Sequence, residues 1–251
     1  MSGHSKWSSI KHQKGVTDAR RGQLFTKLAR EIIVAVRQSG SNPDTNFRLR
    51  LTIQRARDNN MPHDNIERAI KRGSGATEGE ALAEITLEGY GPGGTAILVQ
   101  ALSDNRNRTI QDIRNIFSRH GGNLGENGCV AWIFNSKGLI IIETNDLDAD
   151  ELSLYAIDAG ADDVQVKSNY VEIYTQPEDL EKVREALEQK ELNIASAELS
   201  MVSKTTVSLE DKIAVQTLKL LDKLEELVEV QHIASNADFA DSVLQEYKSR
   251  A

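Results

Sequence analysis

The first thirty residues carry basic side chains whose chemistry suits the phosphate groups of a polyanion. They contain seven Lys or Arg, two His and only one acid, Asp18. Flexible segments of this composition bind nucleic-acid phosphates through charge, without reading the order of the bases. A Trp among them can stack on an exposed base. We therefore predict a set of nucleic-acid contacts that comprises Lys6, Trp7, Lys11, His12, Lys14, Arg20, Arg21, Lys27 and Arg30.

A second basic segment is the loop SDNRNRT, residues 103–109, which joins a predicted strand to a predicted helix. Arg106 and Arg108 could contact a phosphate or a partner near the helix N-terminus, where backbone N–H groups favour anions. Alternatively, Asp104 or Asn107 caps that helix. Both interpretations are open from the sequence, and we include Arg106 and Arg108 in the predicted contact set.

The remaining motifs give no support for catalysis. The stretch GYGPGG has G-x-G-x-x-G spacing through Gly89, Gly91 and Gly94. A predicted strand follows it, whereas a dinucleotide site needs a helix there, so we interpret it as a hairpin turn. His4 and His12 have no further ligands at metal-binding spacing. No nucleophile motif is present either. We therefore expect no enzyme activity, no cofactor, no metal and no small-molecule substrate.

Cysteine usage and hydropathy indicate the cellular compartment. Cys129 is the only cysteine, which excludes an intramolecular disulfide and is typical of a reducing cytoplasm. The longest aliphatic run, residues 139–142, is far shorter than the ~20 residues of a membrane-spanning helix. No apolar stretch of the secretory type follows the N-terminus. We expect a cytoplasmic protein with no membrane partner; the oligomeric state stays open, a monomer being one option.

Charge is distributed unevenly along the chain. Residues 1–77 hold 15 Lys and Arg against 6 Asp and Glu, and the remainder holds 15 against 32, which gives +9 and −17. Such a contrast indicates a basic surface for a polyanion and an acidic body with another task. The alternative is that charge segregates by chance on solvated helices.

The basic segment is predicted to form three helices after an irregular arm at 1–16. The first, 17–39, ends at Gly40 and buries an apolar stripe that includes Leu24, Leu28 and Ile32. The opposite side is expected to expose a basic ridge, which comprises Arg20, Lys27, Arg30 and Arg37. Helices at 44–59 and 63–72 follow. The third helix could read a DNA groove, as in a helix-turn-helix protein. Because it mixes cations with Asp64 and Glu67, we prefer binding to the nucleic-acid backbone.

The acidic remainder alternates predicted strands and helices. Strands at 84–90 and 95–102 and a helix at 107–120 come first. Two strands about a turn at 135–138 lead into a β-α-β-β-α-β order over 138–202, which is typical of a ferredoxin-like unit. A final helix at 210–225 and a strand at 226–233 cannot bury their faces alone, so we expect them to return to the first group.

The predicted fold class is therefore α+β. An N-terminal three-helix domain precedes two α/β domains, of which one is ferredoxin-like and inserted in the other. The predicted limits are 1–77, then 83–131 with 208–240, and 132–207.

Five separated motifs resemble the YebC/PmpR family over essentially the whole chain. They read GHSKWSSIKHQKGVTDARRGQLFTKLAREI, NMPHDNIERAIKRGSG, EGYGPGG, SDNRNRT and GGNLGENGCVAWIF. Phe47 stands where the family pattern is expected to have Pro, which alters how the second helix begins. The resemblance implies three domains, one interrupting another, in agreement with the pattern above.

The resemblance leaves two functions open. It implies a cytoplasmic, DNA-binding regulator of transcription. Mitochondrial relatives are described as translational activators, and a ribosome-associated role in bacteria has been proposed, so a translation factor that binds ribosomal RNA is the alternative. Flexible basic arms serve both, because they bind phosphate without reading sequence and commonly fold on RNA.

Overall fold

The computed structural model describes residues 18–75, 82–144, 148–167, 170–190 and 192–250. The α-helices are α1 Asp18–Ser39, α2 Phe47–Asp58, α3 His63–Gly73, α4 Arg106–Arg119, α5 Ala149–Ala159, α6 Leu180–Gln189, α7 Asp211–Glu225 and α8 Asp241–Arg250. The strands are β1 Ala83–Tyr90, β2 Ala96–Ser103, β3 Asn123–Leu124, β4 Phe134–Glu143, β5 Asp163–Val166, β6 Tyr170–Thr175, β7 Ile194–Ser203, β8 Val207–Ser208, β9 Val230–Ser235 and β10 Ala237–Asp238.

The first three helices pack around the predicted apolar stripes. Leu28, Ile32 and Leu49 are almost fully buried in this core. Helix α1 ends at Gly40, whose left-handed φ of 86° lets its N–H donate to the carbonyl of Val36 at 2.8 Å. Thr17, the predicted first residue of this helix, lies outside the described residues. The predicted end of α1 is confirmed.

The predicted start of the second helix at 44 is wrong, because Asn46 is its N-cap. The Oδ1 atom of Asn46 accepts a hydrogen bond from the N–H of Leu49 at 3.0 Å. Its Nδ2 group donates to the carbonyls of Ala35 at 2.8 Å and Gly40 at 2.7 Å. Asn46 therefore satisfies backbone groups of both helices, and these contacts fix the helix start at Phe47.

The first sheet has the strand order β3-β1-β2-β9. Strands β1 and β2 form an antiparallel hairpin across GYGPGG, so the hairpin prediction is confirmed. Strand β9 pairs antiparallel with β2, and α7 contributes Leu218 and Leu221 to the same core as Phe117 of α4. The predicted return of the C-terminal helix and strand is confirmed. The short β8–β10 pair and α8 were not predicted.

The second sheet has the order β5-β6-β4-β7 and, with α5 and α6, the predicted β-α-β-β-α-β sequence of elements. The predicted turn at 135–138 is wrong, because β4 runs without a break from Phe134 to Glu143. Gly138 is required by a close approach instead. A Cβ there would lie 2.2 Å from Oγ1 of Thr175 and 2.9 Å from Cβ of Leu180.

The chain forms two compact units. One includes the chain up to Phe134 and from Ser203 onward, and the other spans Asn135–Val202. The second unit thus interrupts the first in sequence, and the class is α+β, as predicted. The finer division of the first unit, with limits at 77 and 83, stays a prediction.

Candidate nucleic-acid interface

The predicted contact residues of the arm cannot be placed. Lys6, Trp7, Lys11, His12 and Lys14 all lie outside the described residues. The structure therefore reports only on the remaining members of the predicted set. Those members belong to α1 and to the start of α4.

Arg20 and Arg21 lie in the first turn of α1, and both side chains are exposed. They continue the basic segment from the arm into the helix. Arg37, in the last turn of α1, is exposed as well. The basic ridge that the sequence predicted on α1 is therefore present at the two ends of the helix.

The middle of that ridge, Lys27 and Arg30, is only partly exposed, and its role as a nucleic-acid contact stays a prediction. The Nζ atom of Lys27 donates to the carbonyl of Glu225 at 2.6 Å. Glu225 is the last residue of α7, where carbonyls lack helical partners and a cation is favoured. Arg30 donates to the carbonyl of Leu102 at 3.2 Å and lies 3.7 Å from Oε1 of Glu229. Both cations thus fasten α1 to the sheet layer.

The SDNRNRT loop has a different cap from either predicted one. Asn105 is the N-cap of α4, because its Oδ1 accepts from the N–H of Arg108 at 3.1 Å. The guanidinium of Arg108 pairs with Asp104 at 2.7 Å and lies 3.7 Å from Glu229. The side chain of Arg106 is exposed and makes no hydrogen bond or ion pair with any described residue. Of the two loop arginines, Arg106 has the geometry of a free anion contact.

Glu229 brings two separated parts of the predicted set together. Its Oε1 atom lies 3.7 Å from both Arg30 of α1 and Arg108 of α4. Sequence reasoning missed this role, because Glu229 is far from both arginines in the chain and no local pattern links it to them. Glu229 therefore partly compensates the charge of both arginines.

A buried carboxylate, Glu31, joins the same helix to its neighbours. Its Oε2 lies 2.9 Å from Arg55 of α2, and its Oε1 lies 3.3 Å from Nε2 of His232 on β9. Burial alone would raise the pKa of Glu31. The positive charge of Arg55 and the hydrogen bond to His232 outweigh it and lower the pKa to about 2. Glu31 therefore stays ionised and links α1, α2 and β9. The sequence feature that could have indicated this role is a single acidic residue within the apolar stripe of α1.

Several polar side chains of helix α3 contact groups of their own helix. Arg68 donates to Asn65 Oδ1 at 2.6 Å and to the carbonyl of Asp64 at 3.1 Å. Lys71 and His63 both lie within 4.0 Å of the Glu67 carboxylate. These side chains are turned toward groups of their own helix. Such contacts disfavour recognition of bases in a groove, where the side chains must reach outward to base edges.

The exposed side chains of the described helical segment still carry excess positive charge. The exposed cations are Arg20, Arg21, Arg37, Arg57, Arg68, Lys71 and Arg72. The exposed acids are Asp44, Asp58, Asp64 and Glu67. The ion-paired Arg30, Arg48 and Arg55 are only partly exposed. The arm adds three Lys and no acid over residues 1–17, so it contributes much of the remaining basic character.

Other chemistry finds no support in the part of the chain that the structure describes. No group of three or more His, Cys, Asp or Glu side chains is arranged to hold a metal there. Within the same ranges, no helix combines the length and apolar character needed to cross a membrane.

Comparisons with known proteins agree with this architecture. Family models match residues 5–76, described as the TACO1/YebC protein N-terminal domain, and residues 82–237, described as the TACO1/YebC second and third domain. A probable transcriptional regulatory protein from Dehalococcoides mccartyi is 59% identical over 251 residues, which is 100% of both chains. One with the same description from Desulfosudis oleivorans is 53% identical and covers 97% of this chain and 99% of its own.

A solved structure shows the same fold. The crystal structure of a conserved hypothetical protein from Aquifex aeolicus matches with a TM-score of 0.83 and 46% identity, over 89% of this chain and 93% of that one. Full-length identity of this size, together with two family models that span most of the chain, is decisive. This chain belongs to the TACO1/YebC family.

Proposed function

We propose that this protein is a regulator of gene expression that binds DNA through its basic N-terminal segment. The observation that carries the proposal is the distribution of charge after folding. Exposed cations outnumber exposed acids on the described helices, and residues 1–17 add three Lys without an acid. The description of the relatives as probable transcriptional regulatory proteins supports DNA as the target.

The contacts are made to the nucleic-acid backbone. The groups that neutralise phosphate are Lys6, Lys11, Lys14, Arg20 and Arg21, with Trp7 and His12 between them and Arg106 as an outlying contact. Lys27, Arg30 and Arg108 act indirectly, because they hold α1 and the α4 loop against Glu225 and Glu229. Backbone contacts position a protein without specifying sequence.

The salt dependence of binding tests this proposal. If about five cations neutralise phosphates on duplex DNA, log K falls with log[salt] at a slope near −4.5, which is roughly a 500-fold loss between 50 and 200 mM salt. The quadruple variant Lys11→Gln, Lys14→Gln, Arg20→Gln and Arg21→Gln should flatten the slope by several units on all DNA sequences alike. Folding should persist, since Arg20 and Arg21 are exposed.

A charge-preserving control separates charge from side-chain shape. The variant Lys11→Arg, Lys14→Arg, Arg20→Lys and Arg21→Lys should keep the wild-type slope. A Gln variant that loses preference for one promoter, yet keeps its general affinity and slope, would show base readout and contradict the proposal.

A second candidate function is a translation factor that binds ribosomal RNA. It is favoured over a base-reading regulator by α3, because Arg68 and Lys71 contact Asp64, Asn65 and Glu67 of their own helix. The slope on single-stranded RNA would be near −3.5. Co-sedimentation of the same variants with ribosomes decides between the two. If the Gln variant keeps DNA affinity and loses only ribosome association, translation becomes the better assignment.

A further inference from the structure

Two aromatic side chains stand exposed on one surface of the α/β part of the first unit. Trp132 is 68% exposed and Tyr90 is 41% exposed. The indole N–H of Trp132 donates to the carbonyl of Cys129 at 3.1 Å, and the Tyr90 hydroxyl donates to the same oxygen at 3.0 Å. The two polar ring atoms therefore lie within about 6 Å of each other. Each ring is held at its polar end while much of the side chain remains open to solvent.

A buried carboxylate of strand β1 holds the loop that precedes Trp132. Glu88 accepts hydrogen bonds from the N–H of Gly128 at 2.6 Å and from those of Val130 and Ala131 at 2.7 Å. Burial would raise the pKa of Glu88, but these three donors outweigh it and lower the pKa. The carboxylate thus stays charged and holds residues 128–131 on β1. The aromatic surface is formed before any ligand arrives.

Polar groups border the two rings. Asn123 of β3 lies directly opposite Tyr90 of β1, so its exposed side chain lies on the same face of the sheet. Lys204 donates to the carbonyl of Trp132 at 2.8 Å. An ammonium group has three donors, so two others are available to an anion. Glu126, an exposed acid, is close enough for its charge to act on Cys129.

We propose that Tyr90 and Trp132 form a stacking surface for one unpaired base of the bound nucleic acid. The inference rests on the proposed nucleic-acid binding and adds a second contact to it. A base offers a π face to the rings and a hydrogen-bonding edge to Asn123, and Lys204 can meet its phosphate. The acid at Glu126 and the −17 charge outside residues 1–77 disfavour contacts with further phosphates. A purely apolar protein contact would make no use of the exposed amide of Asn123 or of the remaining donors of Lys204.

Trp132 fluorescence tests the proposal directly. The chain has two Trp, so the full-length Trp7→Phe variant reports on Trp132 alone. Its emission should be quenched by a twelve-nucleotide oligoadenylate RNA and unchanged by a twenty-base-pair DNA duplex. In the same background, Trp132→Ala should weaken oligoadenylate binding about 10-fold and leave duplex affinity within twofold. Trp132→Phe should retain most of the affinity, because it keeps a ring.

Leu154→Ala is the matched control, since Leu154 is also 68% exposed and should change neither affinity. If Trp132→Ala and its Trp7→Phe parent bind both probes with equal affinity, the stacking proposal is wrong. The Gln variant of the arm tests the proposed function separately. Absence of binding to either probe by the parent would overturn both. If Trp132→Ala left both affinities unchanged but altered the sedimentation mass of the protein, the surface would join two copies and the base-stacking proposal would be wrong.

Discussion

Glu31 and Glu88 are both buried carboxylates, but different groups satisfy their negative charge. Glu31 depends on the side chains of Arg55 and His232, which come from two other elements. Glu88 depends on three backbone N–H groups of one loop. The Glu31 carboxylate therefore joins distant segments, and the loss of Arg55 or His232 would leave its buried charge less well compensated. The Glu88 carboxylate instead organises one loop, through backbone N–H groups rather than through charged side chains.

The largest effect is expected where the side-chain network is broken. Glu31→Ala removes the counter-charge of Arg55 from a buried site, and breaking a buried pair in this way costs about 3 kcal/mol of the free energy of unfolding. Urea denaturation at pH 7 measures it. The matched variant Glu67→Ala, in an exposed ion pair, should cost less than about 0.5 kcal/mol. Equal losses in the two variants would show that the Glu31 network adds no stability.

Acid should remove the contribution of Glu31 gradually. Its pKa is lowered from 4.5 to about 2, so the folded state binds its proton less readily than the unfolded state. The stabilisation is complete above pH 4.5 and is lost as the pH falls toward 2, with a total of about 3 kcal/mol. The gap in unfolding free energy between wild type and Glu31→Gln should therefore narrow over that range. A gap that stays constant from pH 5 to pH 2.5 would contradict the assigned shift.

Glu88→Gln should have a smaller effect on stability and a local effect on the loop. One oxygen acceptor becomes an amide donor that faces backbone N–H groups, which costs about 2 kcal/mol. In the Trp7→Phe background, Trp132 emission should change, because residues 128–131 lose their anchor. Glu126→Gln, on the exposed side of the same loop, is the control. If Trp132 emission stayed unaltered, Glu88 would not be what fixes the loop.

The smallest effect is expected at Asn105, where a neutral side chain accepts from one backbone N–H. Asn105→Ala should lower the free energy of unfolding by about 1 kcal/mol, as for other N-caps. Asn107→Ala should change it by less than about 0.5 kcal/mol, because Asn107 is not the cap. Thermal denaturation of the two variants measures the difference. A larger loss for Asn107→Ala would restore the cap that the sequence suggested.

Sequence periodicity predicted the helices and strands better than it predicted which other segments pack against them. The stripe of Leu28 and Ile32 identified the buried face of α1, and alternation of elements identified the inserted ferredoxin-like unit. Periodicity also placed Lys27 and Arg30 opposite that face, but it cannot show that another surface covers the opposite side. The end of α7 and Glu229 do so, and they lie far away in the chain.

Local sequence patterns gave wrong predictions where contacts with residues elsewhere in the chain determine the structure. Asn46 is held at the cap position because its side chain also donates to the carbonyls of Ala35 and Gly40. Pro43 and Asp44, from which the helix start was predicted, give no sign of these contacts. Gly138 looked like a turn residue, whereas its lack of a side chain makes room for Thr175. The candidate site was predictable as a charge pattern. The sequence could not predict which cations remain exposed, because that depends on which acidic side chains lie beside them in the folded protein.

The bond from Lys27 to Glu225 spans 198 residues of the chain, and this separation bears on how the protein is made. Helix α1 is synthesised before the α7 end and Glu229, which hold it in place. At 5–20 residues per second the interval is about 10–40 s. During that time α1 exists without its attachment, and Lys27 and Arg30 are open to solvent. A nascent chain therefore presents more positive charge than the finished protein, and completion of the C-terminal segment withdraws it.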